Sequence, residues 1–535
     1  QSYALSLRHH SSTYLVIMHS GGKEGEGDAI TTEMSPLAVI SLLMNLCIGV
    51  GSLTIPIAVE EGGVVLSVLF MIFCAFLAWI TSQYTFEAMA LCCTMLRLGV
   101  VNEHTHTKGK GDFTSWVCEG HDLEAPLLSA PATEVPTPEG EEDGEDGAEA
   151  TVERKVKKLK PLQMFKIDKR LEMGRMAEIV FGKPGEYFVY TVLVVYFLGD
   201  VAIYATGCAN SLAEQFGTLH LFGHTLPFSD EYVSPAYRFW LIVFILVVVP
   251  LCMAELSNTK TLQTIMMFAR IAALSYMMLL ALVFIAQGKG CTLKDLELAN
   301  FKQIPELFGA ITYSFMMHHS IPNIMGPLND HTKARSVFTT QSFTVVLVYI
   351  ALSLSTIFAF GDIPNAVCIE GSGEPCAVQP MINLNFIFYT GKFLGPFSDY
   401  FLGLYPAVVL AFNTPLIVNT ARGNLMQLFT FWPDRPKAKY YLLTAAVMLP
   451  SLVISFILSD VDFLVSITGS FAGIFIEFVI PAFLVWGGRQ ATAVAGVNAA
   501  KNPFKCLLSA KVWIFFIWAW CVFAFVANLL DLVVG

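Results

Sequence analysis

Charge is scarce in this sequence. Asp, Glu, Lys and Arg make up 14% of its 535 residues, where a soluble domain carries about a quarter. A fold of this size cannot cover its surface with so few charges, which excludes an ordinary soluble protein. Basic residues are missing altogether from residues 111–153, which hold thirteen Asp and Glu. Without that stretch the net charge of −11 becomes +2, so the acidity belongs to one segment and predicts no basic partner. Like charges mixed with Pro, Gly and Ala over 131–150 read as a solvated, disordered run.

Motifs for soluble chemistry are lacking too. There is no Gly-rich phosphate loop before a Lys-Ser/Thr pair, no His-Glu-x-x-His and no Gly-x-Ser-x-Gly. The sequence therefore predicts no enzyme. No basic, aromatic-interleaved surface points to nucleic acid. None of the twelve cysteines forms a Cys-x-x-Cys pair or a Cys/His cluster with ligand spacing, so neither metal nor cofactor is expected. Most lie in apolar runs and act as small buried hydrophobes. With no Asn-x-Ser/Thr sequon, glycosylation gives no check on sidedness.

What is present is hydrophobic: 55% of the chain, gathered into blocks of about twenty residues, the length that crosses ~30 Å of hydrocarbon. Eleven membrane helices are predicted, at 36–58, 64–94, 186–213, 237–255, 261–287, 305–328, 337–360, 394–420, 440–459, 461–487 and 509–533. The fold class is thus all-α and polytopic. Around the spans, 1–34 is a cytosolic N-terminal segment and 95–185 a cytosolic acidic and basic loop, largely disordered. Spans 1–2 occupy 35–94 and spans 3–11 occupy 186–535. With the N-terminus cytosolic, the short inner connectors hold eleven Lys and Arg and the outer ones five, as the positive-inside rule asks. Cys368 and Cys376 then face outward across a Gly-rich turn, placed to close a disulfide in an oxidising compartment. Met173, Met176, Ala177 and Val180 share one face of a basic helix, which suits the inner membrane surface.

Two spans are not plain anchors. The first contains Asn45, Gly49, Val50, Gly51, Ser52, Thr54 and Pro56. Gly and Pro weaken the helical ladder, and freed backbone at this depth is tolerated only beside protein or a water-filled cavity. The sixth contains Tyr313, Ser314, His318, His319, Ser320 and Pro322. Interrupted helices five spans apart predict a 5+5 inverted-repeat transporter core with broken first and sixth helices. Half-helix ends then face each other near the midplane, with N–H groups for an anion and carbonyls for a cation. Gly49, Val50, Gly51, Ser52, Tyr313, Ser314, His318 and His319 are the predicted substrate contacts.

Ionisable groups at similar depth are costly and ask for partners. Asp200, Arg270 and Glu477 lie well inside the third, fifth and tenth spans. Asp200 and Arg270 form a register-fixing pair, or Asp200 relays protons with His318 or His319. Asn413 and Thr414 stand beside Pro415, either to lend oxygens to a small cation or as part of a kink. Glu87 is read as pointing to the cytosolic interface.

These residues carry a family resemblance. Asn45…Gly49-Val-Gly51-Ser-Leu53-Thr54-Ile-Pro56 resembles the opening helix of the amino acid/auxin permease family. Glu172-Met-Gly174-Arg-Met176-Ala177, Gly199-Asp200-Val-Ala202-Ile203-Tyr204, Leu307-Phe308-Gly309…His319-Ser320-Ile-Pro322 and Ile467-Thr468-Gly469…Pro481-Ala482 narrow it to one branch. The resemblance implies eleven helices and secondary transport of small amino acids, coupled as a symport to sodium or protons. Gly49, Val50 and Gly51 would offer backbone to the substrate, and Asn45 with Asn413 or Thr414 would border a sodium site. Asn45, Asp200, Asn413 and Thr414 are the expected ion or proton coupling residues. A transporter-shaped sensor or scaffold is the other reading. Membrane lipid and the amino acid are the expected partners, in the plasma membrane or an endolysosomal membrane.

Overall fold

The computed structural model describes residues 33–99, 160–216, 220–221, 224–225, 235–253, 259–288, 290–361, 378–390, 396–429 and 436–534. The N-terminal segment to residue 32, the acidic run and the Cys368–Cys376 pair lie outside the described residues.

Apolar sequence without a water-facing half makes helices that bury their polar backbone internally, and the described residues form little else. In order they are α1 (Pro36–Cys47), α2 (Gly51–Glu61), α3 (Val64–Leu98), α4 (Pro161–Met164) and α5 (Met173–Phe216). Next come α6 (Pro235–Met253), α7 (Thr259–Ala286), α8 (Ile304–Ser314), α9 (Ile321–Met325), α10 (Ala334–Phe360) and α11 (Ile382–Thr390). The last are α12 (Pro396–Leu428), α13 (Pro436–Ile457), α14 (Val461–Thr468), α15 (Ile480–Val494) and α16 (Lys511–Val534). Two-residue strands, His220–Leu221 and His224–Thr225, pair antiparallel.

Among the described residues nine spans are long and apolar enough to cross a membrane singly, and α1 with α2 passes as a bent pair. Each of the eleven predicted spans has a helical counterpart; α8 and α9 share the sixth. The tenth, Val461–Val494, joins α14 to α15 through wide π turns at Gly469–Gly473 and Phe475–Val479. It is also the most central: 72% of its apolar window is buried, against 28% for the last span.

One local expectation is corrected. Met173, Met176, Ala177 and Val180 are buried in the main core rather than laid on lipid. This turn of helix joins the third span across Gly182, whose φ of 71° bends the chain. The stripe then meets protein: a Cβ on Gly487 would lie 2.4 Å from Val180. Glu87 also differs from its expectation, because it is fully buried. Arg489 donates to both of its oxygens at 2.8 Å, and the Cys506 amide donates to Oε2 at 2.9 Å.

Candidate functional site

The first span breaks where its glycines stand. α1 ends at Cys47, α2 starts at Gly51, and their axes differ by 58°. Across the break the Gly49 amide bonds back to the Cys47 carbonyl at 2.7 Å, and Ser52 Oγ donates to the Gly49 carbonyl at 2.7 Å. No backbone carbonyl among the described residues takes the amides of Val50 and Gly51. They sit at the N-terminus of α2, the end that favours negative charge.

The C-terminal end of α1 is capped by a side chain from another span. Arg270 Nη1 donates to the Ile48 carbonyl at 2.8 Å, the Asn45 carbonyl at 3.1 Å and Asn45 Oδ1 at 3.3 Å. A guanidinium against orphan carbonyls is favourable twice over, as hydrogen bonds and as a cation at the negative end of a helix. The Asp200–Arg270 pairing is therefore not formed. Asp200 is engaged elsewhere, because the Tyr313 hydroxyl donates to its Oδ1.

The sixth span breaks at Phe315–Met317, just ahead of the histidines. α8 stops at Ser314, a 3₁₀ turn covers His318–Ser320, and α9 resumes at Ile321. A single hydroxyl stitches the two breaks together. Tyr349 Oη lies 2.5 Å from the Cys47 carbonyl, at the end of α1, and 3.0 Å from the Ser314 carbonyl, at the end of α8. Glycines bring the backbones this close. A Cβ on Gly51 would meet Ser314 Oγ at 2.3 Å and its Cα at 2.8 Å; one on Gly309 would meet the Ser466 carbonyl at 2.1 Å.

The two histidines part company. His318 turns its Nε2 onto α3, 3.0 Å from Thr81 Oγ1, 3.1 Å from Ser82 Oγ and 3.2 Å from the Ala78 carbonyl. His319 instead lies against the rings of Tyr196 and Phe197, and the Tyr196 ring neighbours that of Tyr313. Asp200, Tyr313, Tyr196 and His319 thus share one wall. Ser314 Oγ donates to its own helix at Ala310, and Thr414 Oγ1 likewise to Leu410. Thr54 Oγ1 is buried without a hydrogen-bond partner among the described residues. Nothing in the hydrogen bonding joins Asn413 or Thr414 to Asn45.

Sequence reasoning flagged Arg270 and Glu477 as intramembrane charges but missed what surrounds them. Tyr349 carries no signal at all, being one of 17 tyrosines on an apolar span. Glu477 is fully buried, and neither carboxyl oxygen has a partner among the described residues. It lies in the second π turn, packed against the His318–Ser320 turn.

Residues 160–526 match the family described as transmembrane amino acid transporter protein. The chain belongs to that family. Within it, the similar proteins are of one kind. The transmembrane protein 104 homolog of Dictyostelium discoideum is 31% identical over 86% of this chain and 91% of its own length. Transmembrane protein 104 of Mus musculus is 28% identical over 93% and 97%, and that of Homo sapiens 29% over 91% and 95%. The chain is thus a member of the transmembrane protein 104-like branch. A crystal structure of MhsT in complex with L-phenylalanine covers 94% of this chain and 99% of its own at a TM-score of 0.52. At 13% identity that likeness shows a shared fold.

Proposed function

We propose that the chain is a secondary active transporter that carries small amino acids across the membrane by symport with protons. The observation that supports it is the meeting of two interrupted helices at one point, stitched by Tyr349, beside the amides of Val50 and Gly51, which no backbone carbonyl among the described residues takes. Those amides suit a substrate carboxylate, as helix N-termini do generally. MhsT, which shares the fold, was solved with an amino acid bound.

Sodium and protons are distinguished by charge. Arg270 fills the C-terminal end of α1 and hydrogen-bonds Asn45, where a sodium ion bordered by Asn45 would stand. A fixed cation repels a mobile one held beside the same Asn45 oxygen. Protons need no such vacancy, and Asp200, bonded to Tyr313 beside His319, is the group placed to carry one. The N-terminus is taken as cytosolic, which puts the Glu61 end of the first span outside.

Uptake of labelled amino acids into proteoliposomes tests this, with proton and sodium gradients imposed separately. Saturable uptake driven by the proton gradient is the expected result. Binding without flux would favour a sensor, and neither binding nor flux across all the amino acids would end the substrate claim.

A further inference from the structure

Away from the breaks, at the far ends of α2 and α8, three carboxylates converge. Glu61 closes α2, Glu306 lies in the first turn of α8, and Asp462 lies in the first turn of α14. One oxygen from each falls within 4.8 Å of the other two. No Lys or Arg among the described residues pairs with any of the three, and Glu60, Asp460 and Asp531 add to the same negative field. Asp462 is only 6% exposed, yet its Oδ1 is buried without a hydrogen-bond partner among the described residues. The last turn of α2 carries two acidic residues and no basic one, the sign that its dipole disfavours.

A buried, unpartnered oxygen in a knot of like charges calls for a cation. We propose that Glu61, Glu306 and Asp462 bind one calcium-like divalent ion, which ties three spans together at this end. All the ligands are oxygen, which selects a hard cation over zinc or copper. Calcium at ~2.3–2.6 Å from each ligand accepts oxygens up to about 5 Å apart, whereas magnesium at ~2.0–2.1 Å accepts only about 4 Å. Three protein ligands leave the other positions to water, as in weaker calcium sites. The ion's place gives it a consequence: α2 and α8 are the half-helices whose other ends meet at the break, so it fixes their spacing against α14.

The test is equilibrium binding of radioactive calcium to the purified full chain in detergent, with thermal unfolding followed by tryptophan fluorescence. One saturable site per chain is expected, with a dissociation constant on the order of 0.1–1 mM, as in extracellular modules. Bound calcium raises the melting temperature, because an ion that binds only the folded chain stabilises it. Asp462→Asn and, separately, Glu306→Gln weaken binding at least about tenfold, the loss of roughly 1.4 kcal/mol. Absence of saturable binding at millimolar calcium overturns the proposal, as does wild-type affinity in both variants. Equal competition by magnesium overturns the calcium assignment. The measurement involves no flux, so its failure leaves the transporter reading standing.

Discussion

At the residue scale, hydrogen bonding sorts the polar groups into those that hold the helices and those free to act. Asp200 is the clearest of the second kind, for its one hydrogen-bond partner among the described residues is the Tyr313 hydroxyl. Asp200→Asn keeps the size and an acceptor for Tyr313 but cannot lose a proton. The variant should melt within a few degrees of wild type, and its amino acid uptake should no longer follow the proton gradient. Unchanged proton dependence with a lowered melting temperature would make Asp200 a structural residue. Gly51, whose amide is offered to the substrate, also holds the helices together through what it lacks. Its missing Cβ lets α2 lie on Ser314, so Gly51→Leu overpacks a backbone contact and should cost about 1–3 kcal/mol. A lower melting temperature without substrate checks this, and loss of uptake in that variant would not by itself report on substrate binding.

At the scale of elements, each broken helix is completed by another span. The break in the first frees carbonyls that Arg270 and Tyr349 take up, from α7 and α10. Tyr349→Phe leaves both the Cys47 and Ser314 carbonyls without this donor, a loss of about 1–3 kcal/mol in a buried setting. The expected outcome is a chain that still inserts and melts earlier, with uptake reduced more than stability accounts for, because the ends of α1 and α8 are no longer held together. If uptake per folded molecule is unchanged, the stitch is only structural. The tenth span has a related irregularity, since its second π turn, which contains Glu477, packs against the turn that carries the histidines. Such bulges often mark functional positions.

Across the whole molecule, the pair of fully buried Glu87 and partly buried Arg489 ties the second span to the tenth, and Arg489 also donates to the Ser509 carbonyl before the last span. Removing one partner strands the other charge. Glu87→Gln or Arg489→Met should each destabilise by about 3–5 kcal/mol, and the double change Glu87→Leu with Arg489→Met should recover much of it. Thermal unfolding of the three variants decides; a double variant no better than the singles would contradict the argument.

The sequence by itself determined the class, the approximate placing of the helices and the two breaks. Hydrophobic blocks of about twenty residues have one solution in a bilayer, and Gly, Ser and Pro inside such a block are legible as interruption. It also marked Asp200, Arg270 and Glu477, because charge in an apolar run stands out whatever its neighbours. Pairing was not legible. Whether Arg270 meets Asp200 or the end of α1, which span His318 faces, and that Tyr349 touches both breaks all depend on how helices rotate and cross. Helices in lipid choose those contacts by close packing of small residues and by whichever polar groups then fall within reach. The convergence of Glu61, Glu306 and Asp462 has the same origin, for no local pattern shows that three span ends more than 150 residues apart in two steps share one point. Only the packed structure brings them together.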